Sequence, residues 1–560
     1  MKISTTLSRI KSVDKNSELQ FVIGLVAIGL IFWQLQFSTS AICCGDFDGY
    51  YHIKWTRVLW DSIKAHTFVP SFPWLPLTTL NSKQYVDHHL LFHIFLIPFA
   101  RFEDPRIGAK VASAVFGGLA VASCYWLLIR YRVRYVLVWL IALLACSAPF
   151  LFRMNMTKAP PFAIIYLVIA IHFFFKKKYW PLLPLSFLFT ETYDVFLLLI
   201  LATFVWVAVL GWTERRLEWR PILWVTLGVV AGLVINPYFP QNLHLIYEHA
   251  KIKLTLEEFN TKVGGEWYPY NSWEFLGNSF VACVSMVVGY VALDPVERKQ
   301  GSQPLFFAIL ATALMIMIAK WRRIAEYWPP FAVMFAAFSL KPWLDGTRSA
   351  LPRLPSDIMA ELEPFFDRGP DAVNGDDSSL REWLKNIAIT VVALLLSLTL
   401  FLNLRVTKRD ISQSEPHDYY KPGADWLRTH VPEGHLIFNT DWDDFPRLFY
   451  FDSNHRYVSG LDPSYLYDKN PDLSDLYERI TLGKQEDPGP LIRDRFGATY
   501  VFSDNDHHDF FENARASGWF EIVYEDEQCT IMRIRDEKLS PLEQKDDFPA
   551  NSEPTGGNRP

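Results

Sequence analysis

The chain has 560 residues, half of them hydrophobic and 16% aromatic, with a mean hydropathy of +0.09, which is too apolar for a soluble enzyme with ordinary loops. A formal charge of -6 and the lack of any basic stripe or recognition module exclude nucleic acid as a partner. The six cysteines, Cys43, Cys44, Cys124, Cys146, Cys283 and Cys529, show neither metal spacing nor a disulfide framework.

In chain order, Lys2, Arg9, Lys11 and Lys15 precede an apolar run over 21–39 that no small-residue cleavage site follows, so this run reads as a retained first helix. A crossing helix needs about 20 apolar residues. On that measure further spans fall at 107–129, 135–152, 160–175, 180–193, 195–211, 220–236, 279–293, 304–319, 327–340 and 384–403, about eleven in all. Arg130, Arg132 and Arg134, then Lys176 to Lys178, then Arg215, Arg216 and Arg220, then Arg298 and Lys299, mark alternate connections as cytoplasmic. This threading puts the N-terminus inside and the C-terminus outside an inner or plasma membrane. The apolar piece from His88 to Ala100 is short and flanked by charge, which suits an interfacial or re-entrant helix.

The expected architecture is a multi-spanning α-helical membrane protein with a soluble α/β domain at its C-terminus. Residues 1–403 form the membrane domain, with a long first outer loop over 43–106. A Pro-, Asp- and Gly-rich linker over 341–383 lies on the cytoplasmic side. Residues 404–540 form the extracytoplasmic domain, where β-like runs such as HLIFNT, ATYVFSD and CTIMRIRD alternate with helical stretches such as DLYERITLG. Residues 541–560 read as a disordered tail.

Long ordered loops tend to be functional, and the first outer loop carries Asp46, Asp48, Tyr50, His52, Arg57, Asp61, Asp87, His88, His89 and His93. Asp46 and Asp48 could offer hard oxygen ligands to Mg2+ or Mn2+. Spacing alone does not separate such a pair from a solvated acidic boundary. Further along, Lys320, Arg322 and Arg323 fall outside in this threading, against the positive-inside preference. Either a span is misplaced, or these cations meet the phosphate of a lipid-linked substrate, with Glu326 orienting them.

The stretch DFDGYYHIKWTRVLWDSI resembles the first-loop signature of the GT-C membrane glycosyltransferases, above all oligosaccharyltransferase catalytic subunits, with Asp48-Gly49-Tyr50 and Arg57 at the matching positions. The block DPRIGAKVASAVFGGLAVASCYWLLIRYRVR is similar to the second span of that superfamily. NTDWDDFPRLFYFDSNHRYVSGLDP resembles the region around the family's acceptor-binding Trp-Trp-Asp-Tyr-Gly motif, of which Trp442 and Asp443 alone match.

The resemblance implies a glycosyltransferase that takes a sugar or oligosaccharide from a polyprenyl phosphate or diphosphate carrier. The acceptor would be a protein, lipid or glycan, on the extracytoplasmic side. It makes Asp48 the catalytic carboxylate and a divalent-metal ligand and Arg57 a substrate-binding residue. Arg322 and Arg323 are the expected contacts to the donor phosphate, and Trp442 and Asp443 the expected acceptor contacts, without the family's sequon recognition. In the family a second acidic motif lies in the next outer loop, but here that loop reads RMNMTKAPP and has no acid. Replacement ligands could come from Glu191 and Asp194, from Glu266, or from the Asp87, His88 and His89 cluster, with Asp46 beside Asp48. Two other classes stay open at this point: a transporter or flippase, and a non-catalytic envelope-assembly protein that keeps the scaffold.

Overall fold

The computed structural model describes residues 15–41, 47–253, 264–293, 301–345 and 376–539. Asp46, Cys43 and Cys44, the Arg298 and Lys299 turn, most of the expected linker, and the expected tail lie outside these residues. The first helices are α1 (Lys15–Phe37), α2 (Asp48–Lys64), α3 (Leu90–Ala100), α4 (Pro105–Arg130), α5 (Val136–Ala145), α6 (Ala148–Met154), α7 (Pro160–Phe175) and α8 (Leu182–Thr192). Next come α9 (Leu197–Glu214), α10 (Arg220–Ile235), α11 (Gln241–Lys253), α12 (Ser272–Asn278), α13 (Phe280–Ala292), α14 (Ser302–Ile318), α15 (Trp328–Leu344) and α16 (Asp376–Ser412). The C-terminal part runs α17 (Lys421–His430), β1 (Leu436–Asn439), α18 (Phe445–Phe451), β2 (Arg456–Tyr457), α19 (Ser464–Lys469), α20 (Pro471–Thr481), α21 (Pro488–Leu491), β3 (Tyr500–Asp504), α22 (His508–Ser517), β4 (Phe520–Glu525) and β5 (Cys529–Ile534).

Contacts divide the chain into two compact units. One comprises Met1–Asp46, His88–Phe239 and Gly265–Glu415; the other comprises Phe47–Asp87, Pro240–Gly264 and Pro416–Pro560.

The first unit is helical. Among the described residues four helical segments, Ser17–Phe37, Pro105–Arg130, Asp194–Glu214 and Trp383–Ser412, are long and apolar enough to cross a membrane, and six are if each of two bent pairs counts as one span. The eleven expected spans all coincide with helix, but several are shorter than a bilayer requires: α7, α8, α10 and α14 are apolar helices of 10–17 residues, as is α3, the expected interfacial or re-entrant helix. Along α16, Trp383, Leu394 and Leu398 are 59%, 65% and 55% exposed. So large an uncovered apolar face fits a hydrocarbon surround and not water, as expected of an integral membrane protein.

The expected straight span over 135–152 is broken by 85° between α5 and α6. The cause is local: Ser147 caps α6 by accepting from the Phe150 N–H at 3.3 Å, and a proline sits in the first turn, where its missing N–H costs nothing. A second break, of 84°, separates α12 from α13 at Ser279. The two breaks bond to each other, Ser279 Oγ to Ser147 Oγ at 3.0 Å and the Ala282 N–H to the Cys146 carbonyl at 3.2 Å. Irregular backbone within apolar surroundings persists where protein groups satisfy it in this way. Close packing around α4 rests on Gly117, where a Cβ would come within 2.3 Å of the Met154 carbonyl.

The second unit is built on a five-stranded sheet of order β2-β1-β3-β5-β4. β1 pairs in parallel with β2 and β3, whereas β5 is antiparallel to β3 and β4. Phe438, Val501 and Met532 from the strands and Leu476, Ile480 and Phe510 from the helices form its core, with Leu77 of the first loop packed against them. The loop segment is bonded into this unit by its backbone: Tyr457 N–H reaches the Trp74 carbonyl at 2.8 Å and Thr79 N–H reaches the Tyr465 carbonyl at 3.0 Å. Trp74 Nε1 donates to the Ser453 carbonyl at 2.7 Å.

Candidate functional site

In the first unit, buried and half-buried charges gather where α6, the Gly265–Trp267 turn and the Arg322–Glu326 turn meet. Arg153, in the last turn of α6, forms ion pairs with Glu266 and, at 2.8 Å, with Glu326, which is 2% exposed. Glu266 also takes Arg323, whose other terminal nitrogen donates to Tyr193 Oη at 2.7 Å while its guanidinium faces the Trp267 ring. Burial works against a charged Glu266, but Arg323, Arg153 and Lys158 outweigh it and hold the carboxyl below the usual range. Arg322 is placed differently. It lies 4.7 Å over the Tyr270 ring, its nearest carboxylate is Glu274 at 3.9 Å, and its side chain is 39% exposed.

His89 joins this cluster by stacking on Tyr193 at 5.3 Å, with the His88 ring 4.0 Å from its own. The other proposed ligands are engaged: Glu266 holds two arginines, and Glu191 accepts from Asn236 at 3.0 Å. Among the described residues no group of three His, Cys, Asp or Glu side chains is arranged to hold a metal ion. The loop expected to supply acidic ligands presents Arg153 and Lys158 instead, and a guanidinium there draws in the carboxylates a cation would need. Glu191 and Glu266, so engaged, do not fit the expected divalent-metal centre, and no step through a metal is derived.

In the second unit Asp48 opens α2, where a carboxylate is favoured by the helix dipole. Tyr50 is buried with its hydroxyl on the His417 carbonyl at 3.2 Å. Asp87 accepts from Trp55 Nε1 at 2.9 Å, so it serves to hold the loop. The residue before Asp48, Phe47, carries the Arg447 guanidinium on its ring at 3.9 Å, and Tyr419 and Tyr50 face the same cation at 5.0 and 5.5 Å. Arg447 is 2% exposed, and its Nε and Nη1 have no hydrogen-bond partner. It therefore fastens α18, which follows Trp442, to the start of α2 through aromatic faces rather than carboxylates.

Trp442 is half-buried and not a core anchor. It lines a cavity of about 140 Å³ with Thr440, Asp441, Ser459, Tyr477, Glu478 and His507 among its walls. Thr440 and Asp441 follow β1, Ser459 follows β2 and His507 follows β3, so the cavity opens at the carboxyl ends of parallel strands. With β2 and β3 on opposite sides of β1, this is the switch point at which such sheets present ligand sites. Asp441 caps the Trp442–Asp444 turn by accepting from the Asp443 N–H at 2.9 Å. Asp443 itself is not among the lining residues. Burial and then Asp504 and Asp441 push Asp444 well above the carboxylate range, and burial also raises Asp441. Burial disfavours a charged His507, yet its hydrogen bond to Asp504 and the charges of Asp504 and Asp441 prevail and raise it above an ordinary histidine.

Sequence reasoning singled out Asp48, Arg57, Arg322, Arg323 and Trp442 but passed over Arg153, Tyr193 and Arg447. A lone arginine inside FLFRMNM was a signal for the first, because charge in an apolar stretch marks a polar cluster. Tyr193 and Arg447 had no comparable signal.

No family model matches the sequence, and no curated protein matches it. Solved structures do match the fold. The Archaeoglobus fulgidus oligosaccharyltransferase in its apo form aligns with a TM-score of 0.56 and 12% identity, over 92% of this chain and 74% of that one. The same enzyme tethered to an acceptor peptide containing the NVT sequon gives 0.52 and 13%, over 91% and 74%. ArnT from Cupriavidus metallidurans bound to undecaprenyl phosphate gives 0.53 and 14%, over 93% and 99%. The chain thus carries the GT-C glycosyltransferase fold.

Proposed function

We propose that the protein is a membrane glycosyltransferase that moves a sugar or oligosaccharide from a polyprenyl phosphate or diphosphate carrier to an acceptor on the extracytoplasmic side. The observation that carries this reading is the charge cluster of the first unit on a GT-C fold. Arg153, Lys158, Lys320, Arg322 and Arg323 outnumber Glu266, Glu274 and Glu326, and Arg322, at 39% side-chain exposure, is more exposed than the closely paired Arg153 and Arg323. A guanidinium there suits a phosphate, whose oxygens its planar fork matches. That ArnT was solved with undecaprenyl phosphate and the oligosaccharyltransferase with an acceptor peptide supports the same assignment of substrate classes.

In this reaction the acceptor's nucleophilic atom attacks the anomeric carbon and gives up its proton to Asp48, which acts as general base. As the new bond forms, the bond from the anomeric carbon to the carrier phosphate breaks. The bonding electrons leave on that phosphate, which departs with the carrier. The cavity beside Trp442 would hold the acceptor, and Arg323 positions the cluster rather than touching donor. The test is transfer from a radiolabelled polyprenyl-linked sugar pool in membranes, comparing wild type with Asp48→Asn. Turnover should fall by roughly 100-fold or more, as when a general base is lost. Full activity of the variant at wild-type abundance would remove Asp48 from the chemistry. No transfer by either protein would favour a non-catalytic scaffold.

A further inference from the structure

In the second unit a pocket of about 450 Å³ lies between α2 and α17. Its walls are Lys54, Arg57, Val58 and Asp61 on one helix and Lys421, Asp425 and Arg428 on the other, with Tyr450, Phe451 and Ser453 beside them. The helical residues recur at three and four positions, so each helix turns one charged face to the space. Four cations and two carboxylates leave the lining with an excess of two positive charges.

Both lining carboxylates are already paired. Asp425 pairs with Lys421 and Arg428, each at 2.8 Å, and Asp61 pairs with Lys64 at 2.6 Å. Among the described residues Lys54 forms no ion pair. The nearest help is Asp452, and its carboxylate is already bonded to His455 at 2.6 Å and Tyr457 at 3.1 Å. Burial, then repulsion from Arg57 and Arg428, lowers Lys54 below an ordinary lysine, with Asp452 in partial opposition. A half-buried ammonium beside two guanidinium groups is a place where an anion would be welcome.

We infer that this pocket binds the phosphate of a sugar phosphate. A phosphate monoester carries about -1.5 to -2 charge at neutral pH, which matches the excess of two, whereas a carboxylate would neutralise half of it. The volume falls in the range of small-ligand sites, roughly 300 to 1,000 Å³, and exceeds what phosphate alone fills. Tyr450, Val58 and Phe451 give the remaining space an apolar wall suited to a sugar ring. The pocket begins about two helical turns beyond Asp48 along α2, roughly 9 Å at the rise of an α-helix, so it is a separate site from the catalytic carboxylate. The inference does not depend on the proposed transfer reaction.

The test is equilibrium binding to the full chain in nanodiscs of phosphatidylcholine, with glucose 6-phosphate, inorganic phosphate and glucose as probes. Glucose 6-phosphate should bind and glucose should not, with inorganic phosphate weaker than the sugar phosphate. Lys54→Gln should weaken binding about 10-fold or more, as the loss of one charge-assisted contact implies, Lys54→Arg should restore it, and Lys538→Gln, whose partner Asp487 lies outside the pocket, should leave it unchanged. Nanodiscs containing phosphatidic acid give a second arm. If the chain binds phosphatidic acid in these discs while glucose 6-phosphate does not bind, and Lys54→Gln abolishes that lipid binding, the phosphate belongs to a lipid headgroup. Absence of binding in both arms, or equal binding by wild type and Lys54→Gln, would overturn the inference. Because the readout is binding, its failure is distinct from failure of sugar transfer.

Discussion

Arg322 and Arg323 are adjacent in sequence but occupy different surroundings, and replacing each with glutamine should separate stability from donor binding. Arg323→Gln removes a pair with Glu266 in which the side chains are 20% and 23% exposed. Removing one partner of a buried pair costs roughly 3 to 5 kcal/mol, and this degree of exposure places the loss near the lower end, about 3. The glutamine amide can still donate to Tyr193 Oη, which recovers about 1 kcal/mol. The net is about 2 kcal/mol, roughly a 30-fold shift in the folding equilibrium. Arg322 meets Glu274 only at 3.9 Å, with side chains 39% and 45% exposed, and such pairs are worth about 0 to 1 kcal/mol. Arg322→Gln should therefore leave stability almost unchanged while weakening donor phosphate about 10- to 150-fold, the value of one charge-assisted contact. Reversible unfolding in mixed micelles and titration with a polyprenyl phosphate supply the two measurements. If Arg322→Gln destabilises as much as Arg323→Gln and binds donor normally, the division of roles between these arginines is wrong.

Trp442→Ala should raise the acceptor KM about 10-fold with little change in donor binding, because the ring lines the cavity at the ends of β1 and β3; a loss of donor binding instead would move Trp442 out of the acceptor role. For His507 the folded pKa is raised, so its contribution to stability is complete below about pH 6.5, its unfolded value, and is lost as pH rises through the folded value. Unfolding measured from pH 6 to 9 should thus show a shallower decline for His507→Gln than for wild type, and identical slopes would contradict the Asp504 pairing. Reporters fused after residue 404 should be active only outside the cytoplasm and reporters near residue 360 only inside; the opposite pattern at both sites would invert the threading.

Apolar run length and the positions of Lys and Arg were enough to read a membrane protein with a mixed α/β segment at its C-terminus, because the bilayer fixes how much apolar chain a helix needs and the strand runs alternate at period two. Asp48 and the Trp442 region were also legible, since both lie in local motifs. The two 85° and 84° breaks were less so: Ser-Ala-Pro after Cys146 is a local signal, but Ser279 breaks its helix where it meets Ser147, a partner 132 residues away. The arginines show the limit most clearly. Sequence places Arg322 and Arg323 together as equals, and only folding brings Glu266 and Tyr193 to one of them and leaves the other on Tyr270 with its charge exposed. Run length and charge count act along the chain, whereas burial, pairing and the charge left over in a pocket are sums over neighbours that tertiary structure alone assembles.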